Sequence, residues 1–193
     1  MRTASLLLVA FPLFFVSCSS EPQVETNQDN AADSNVPAAG TPAADTARTG
    51  PLDFTAPEGW TERAPTGAMR LKEFVLGEVS ESAPFVIVAH WPNGVGGLQA
   101  NLQRWKGQVA GEEGAAEPGL ETISDNGLIC TIMDGQGAYT GMSGGTETGS
   151  RMLAAYIESP GGRIEGVYTI KLSGSVEALA PWAESFRKFI QDL

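Results

Sequence analysis

A chain of 193 residues, 42% hydrophobic and 18% charged, has material for one modest core, and a second domain of ordinary size is excluded. Twelve lysines and arginines stand against 23 aspartates and glutamates, a net charge of -11 at pH 7, and from Pro51 onward 10 basic residues face 18 acidic ones. Such a chain repels polyanions and carries no basic stripe interleaved with aromatics, so no nucleic-acid partner is expected.

The chain opens with Arg2 and an apolar stretch from Leu6 to Val16, then Ser17 and Cys18. That stretch is shorter than the roughly 20 residues a membrane span needs, and residues 1–17 are expected to be a cleaved export signal. The apolar stretch alone leaves open whether Cys18 marks the cut or is incidental to a plain secretory signal, and an uncleaved anchor is the other alternative. From Ser19 to Gly50 the only large apolar residues are Val24 and Val36, and Pro37, Gly40 and Pro42 interrupt any helix. Residues 18–50 are therefore expected to be a disordered acidic tether, which spaces the domain or folds in part on a partner. Residues 51–193 are left as a single domain.

Within that domain, Leu52 to Ala56 is predicted as a short strand ended by Pro57 and Gly59. Met69 to Leu76 alternates as a half-buried strand, and the apolar run Phe85 to Trp91 predicts a central strand stopped by Pro92-Asn93-Gly94. Leu98, Leu102, Trp105 and Val109 recur at helical spacing and predict a helix with one packed face. Glu121 to Ile123 and Leu128 to Met133 flank Asp125-Asn126-Gly127, as one interrupted strand or a tight hairpin, and Ala138 to Thr140 follows. Asp134 to Gly149, with six glycines, predicts a flexible or tightly curved excursion. Arg151 to Glu158 and Arg163 to Leu172 form a hairpin through Ser159-Pro160-Gly161-Gly162. Val176 onward predicts an amphipathic helix capped by Ser173 or Ser175, with Pro181 its weak point. The order demands an α+β fold, an antiparallel sheet flanked by helices.

Chemical motifs are sparse. Gly141-Met142-Ser143-Gly144-Gly145 fits G-x-S-x-G, but no apolar strand leads into it, and His90 lies upstream. Ser143 is expected to be a loop serine and His90 a structural residue, and no catalytic residue is assigned. No cofactor or metal is expected, because one histidine and one cysteine in residues 51–193 would leave a zinc site mainly carboxylates, and Glu112, Glu113 and Glu117 lack a calcium-loop spacing. Cys130 shares a face with Leu128 and Ile132 and is expected to be a core thiol. Trp60 and Trp91 pack in the core if buried. If exposed beside the glycine-rich segment, they join His90, Tyr139 and Ser143 as candidate binding residues for a peptide or glycan.

Phe15-Val16-Ser17-Cys18 resembles a bacterial lipobox, with Phe15 where leucine is usual. The resemblance implies a lipoprotein whose Cys18 carries acyl chains, palmitate among them, and is held in the lipid bilayer. Ser19 after the cysteine implies the outer membrane, facing the periplasm. Gly59-Trp60, Met69-Arg70-Leu71, Ala100-Asn101-Leu102-Gln103-Arg104-Trp105 and Phe186-Arg187-Lys188-Phe189-Ile190 together resemble a planctomycete-type family of bacterial lipoproteins. That resemblance implies a PsbP/Mog1-like αβα sandwich and places no catalytic residue on this chain. The function it implies is a non-enzymatic binding or assembly-accessory module with an envelope protein as partner; the alternative is an envelope enzyme of unfamiliar type.

Overall fold

The computed structural model describes residues 50–110, 116–140 and 146–193. The expected signal peptide, Cys18, the tether as far as residue 49, Glu112, Glu113 and Ser143 lie outside the described residues.

Among the described residues, seven strands and three α-helices follow one another as β1 (Trp60–Arg63), β2 (Lys72–Leu76), β3 (Phe85–Trp91), α1 (Gly97–Val109), β4 (Gly119–Asp125), β5 (Leu128–Thr140), β6 (Thr146–Glu158), β7 (Val167–Ser175), α2 (Val176–Leu179) and α3 (Ala183–Gln191). They form one antiparallel sheet in the order β1-β2-β3-β7-β6-β5-β4. Two meanders, β1 to β3 and β4 to β7, are joined by α1, which carries the chain to the far edge so that β7 returns beside β3. The expected α+β class is met at this level.

Strand alternation divides the core. Leu153, Ala155 and Ile157 of β6 join Phe74, Val88, Cys130 and Ile170 under Phe186, Phe189 and Ile190 of α3. The intervening Met152, Ala154 and Tyr156 pack with Met133 against Leu102, Trp105 and Val109 of α1. Helices thus cover both faces, α1 lying over β5 and β6. On the α3 face, the Phe189 ring lies 4.9 Å from Trp60, 5.6 Å from Phe74 and 6.0 Å from Phe54. Each such pair adds about 0.5–1.5 kcal/mol to the burial of its area. Burial pushes the Cys130 thiol up to about 11, so this core cysteine stays protonated at neutral pH.

Four expectations are corrected. Leu52 to Ala56 pairs with no strand. Leu52 and Phe54 instead drop into the α3-side core, where Leu52 N–H donates to the Tyr168 hydroxyl at 3.3 Å, and the first strand is β1, with Trp60 opposite Leu76. The second strand begins at Lys72 rather than Met69, because Met69 and Leu71 are exposed and belong to the loop before it.

Asp134 to Gly149 is no excursion where it is described. Asp134–Thr140 continues β5, and Thr146–Gly149 opens β6, giving two strands of 13 residues each. Gly135 is there for close packing: a Cβ would stand 2.9 Å from Val109 Cγ2 and 3.2 Å from Pro118. Finally, β7 begins at Val167 rather than Arg163. The C-terminal helix breaks at its expected weak point, Pro181, into α2, a 3-10 turn over Ala180–Trp182, and α3. Ser175 caps α2, its Oγ accepting from Ala178 N–H at 3.2 Å. The Asp125–Leu128 connection is a tight hairpin, with Asn126 and Gly127 at φ 48° and 76°, as a two-residue turn of left-handed residues requires.

Candidate functional site

Among the described residues, the candidates Trp60, Trp91, His90 and Tyr139 do not converge. Trp60 is buried against Phe74 and Phe189, and its indole N–H donates to Ser185 Oγ at 3.2 Å. Trp91 packs on the α1-side core and donates from Nε1 to Thr169 Oγ1 at 2.9 Å. Tyr139 borders the same core at the opposite end of the sheet. It lies ten steps along β5 from Ile129, which is near the Trp91 end, roughly 30 Å at strand rise.

His90 points to the other face. Its ring stacks on Tyr168 with centroids 4.3 Å apart, and Nε2 donates to the Glu165 carbonyl at 2.8 Å. These residues line a recess of about 310 Å³ with Gly50, Pro51, Gly162 and Arg163. The polar groups that His90, Arg163 and Tyr168 bring to it are bonded to backbone. Arg163 donates to the main-chain oxygens of Asn126 and Leu193, its own carbonyl accepts from Gly50 N–H at 3.1 Å, and the Tyr168 hydroxyl accepts from Leu52. The arrangement fixes where the chain enters the fold.

Two acidic centres went unnoticed in the sequence. Asp134 takes both nitrogens of the Arg151 fork at 2.8 and 2.7 Å, and Arg187 of α3 at 2.8 Å. Burial raises the carboxyl, but the hydrogen bonds and charges of Arg151 and Arg187 outweigh it and hold the group below its usual range. Asp134→Asn is expected to destabilise the protein by about 1–2 kcal/mol and to speed amide exchange in α3 more than in α1, measured by urea denaturation and hydrogen exchange.

Glu73 is the more enclosed of the two, with a side chain 0% exposed. Oε2 accepts from Arg63 Nε at 2.8 Å, while Oε1 accepts from Arg70 at 2.5 Å and from Thr66 N–H and Oγ1, both at 2.9 Å. Arg63 also lies over the Phe85 ring, 4.3 Å from its centroid. One carboxylate thus gathers the loop between β1 and β2 onto the sheet.

Among the described residues, no group of three or more His, Cys, Asp and Glu side chains is placed to hold a metal ion. Fold and site together define an α+β protein whose polar centres, as described, organise loops and chain ends. No protein-family model matches the sequence, and a search of curated proteins finds no match.

Proposed function

We propose that the chain is a lipid-anchored bacterial envelope protein, held in the membrane through acylated Cys18, whose α+β domain binds another envelope protein or serves as an assembly accessory. The observation that carries the reading is Phe15-Val16-Ser17-Cys18 directly after the apolar stretch Leu6 to Val16. Among the described residues no helix is long and apolar enough to cross a membrane, so in this reading attachment rests on the lipid. Several acyl chains, each methylene contributing about 0.8 kcal/mol, hold a protein stably where one chain does not.

A PsbP/Mog1-like architecture belongs to the same proposal. Helices on both faces of an antiparallel sheet support it. The acidic surface charge supports a partner other than nucleic acid. Outer-membrane placement facing the periplasm rests on Ser19.

Intact-mass analysis of the full-length product extracted from envelopes tests the anchor, and affinity capture from the same extract tests the partner. A diacylated or triacylated Cys18 is expected as the first residue, with a stoichiometric partner still captured by a domain released through Cys18→Ser. An unmodified Cys18 in a chain that still sediments with membranes would overturn the anchor. Absence of any stoichiometric partner would overturn the accessory role.

A further inference from the structure

On the α1 face, one cross-strand row runs Arg63, Glu73, Ile87, Lys171, Ala154 and Met133. The helix covers the Ala154 and Met133 end of the row, which leaves half-buried Ile87 and Lys171 along its flank. Lys171 Nζ donates to Gln108 Oε1 at 3.1 Å, and Arg104 lies one helical turn before Gln108 on the same side of α1. Arg104 is held in place: its Nη2 donates at 2.6 Å to the carbonyl of Asn101, a fully buried amide whose nitrogen is already bonded to the Val95 and Gly97 carbonyls. Among the described residues neither Arg104 nor Lys171 has a carboxylate partner, although acidic residues outnumber basic ones in this chain. Across Ile87, Arg63 and Arg70 share the single carboxylate of Glu73, so the far wall is also cationic on balance.

We propose that Arg104 and Lys171 form an oxyanion seat, taking the carboxylate or phosphate group of a small ligand whose apolar body rests on Ile87. The chemistry is that of a fixed guanidinium fork beside a second donor cation, which binds either oxyanion through charge-assisted hydrogen bonds. Burial, with the nearby Arg104 charge, pushes the Lys171 amine down to about 8. The seat does not depend on the lipid anchor.

Calorimetric titration of the full-length, detergent-purified chain with sodium phosphate and with sodium butyrate, at constant ionic strength, tests it. At least one probe is expected to bind, and Lys171→Met and Arg104→Gln are each expected to weaken binding about tenfold or more. Lys188→Gln, an exposed cation on α3, is expected to leave it within about twofold. Phosphate binding alone assigns a phosphoryl ligand, whereas butyrate binding more tightly than acetate assigns a carboxylate lying on Ile87. Lys171→Met removes a desolvated charge and is expected to unfold at the same or higher urea concentration, and exposed Arg104→Gln supplies a second variant should it not fold. Failure of both probes to bind, or binding indifferent to both substitutions, overturns the seat. So does an affinity that rises more than about tenfold in Glu112→Gln/Glu113→Gln, which would make those glutamates its occupants.

Discussion

Gly166→Ala is expected to lower the free energy of unfolding by about 3–4 kcal/mol, a large fraction of what holds a domain of this size together. Gly166 sits at φ 67°, where an L side chain costs about 1–2 kcal/mol by itself. The larger part comes from position. A Cβ there would stand 2.2 Å from the Trp91 carbonyl oxygen and 2.6 Å from Pro92 Cα, and both neighbours are backbone. Relief requires moving the end of β3 away from the start of β7, where Trp91 and Val167 pair in the middle of the sheet. Gly149→Ala supplies the contrast, since Gly149 has a similar φ of 65° but nothing within 4 Å of a new Cβ. It is expected to cost only about 1 kcal/mol. Urea denaturation of the two variants measures the difference, and equal midpoints would show that the contact with Trp91 carries no weight.

Acid is expected to remove about 2 kcal/mol of stability through Glu73 alone. Burial by itself would raise this carboxyl, but hydrogen bonds from Arg70, the Thr66 N–H, Arg63 and the Thr66 hydroxyl hold it down to about 2. The unfolded chain therefore binds the proton more readily than the folded one. The stabilisation is complete above the ordinary glutamate value of 4.5 and is lost as pH falls toward about 2. The full shift corresponds to about 3 kcal/mol, reduced to about 2 because Arg63 and Arg70 are each about a third exposed and their charges are screened by water. Glu73→Gln is expected to be less stable by a similar amount at pH 7, at the mild end for a broken buried pair because the freed arginines can hydrate. Unfolding midpoints of both proteins between pH 2 and pH 7 are expected to converge in acid. Parallel profiles would mean that the clamp contributes nothing through its charge.

Where the sequence was readable, a single local period dictated the element. Leu98, Leu102, Trp105 and Val109 repeat at helical spacing and form α1, and the run from Phe85 to Trp91 is the β3 it suggests. Leu52 and Phe54 have a strand's alternation too. Alternation records only that two side chains face one way, and here they face the aromatic cluster around Phe189 without a pairing partner. The glycines at 135 and 137 read as breakers because their role lies in another element, the close approach of α1 and the register shift before Tyr139.

The polar centres were hidden for a similar reason. Glu73 occupies an ordinary place in an alternating strand, and its burial depends on Arg63, Thr66 and Arg70 folding back over it. The spacing of those four residues was the one available signal. Lys171 and Gln108 lie 63 residues apart, and nothing local to either announces the other. Trp60, His90, Trp91 and Tyr139 drew attention by residue type, yet they are spread over both faces and both ends of the sheet.

Arg163 has a topological consequence. Its carbonyl receives the N–H of Gly50 and its guanidinium reaches the main-chain oxygen of Leu193, so the described fold begins and finishes at the same residue. The backbone is almost a ring with one unsewn seam. Bridging that seam with a few residues would make the chain connectivity cyclic while β1 and β4 stay at the edges of the sheet, and the ring could then be cut at the β2–β3 loop with every strand keeping its neighbours. Which strand the ribosome releases first is incidental to the architecture; what the sheet records is which strands lie side by side, and a permuted chain preserves every one of those pairings.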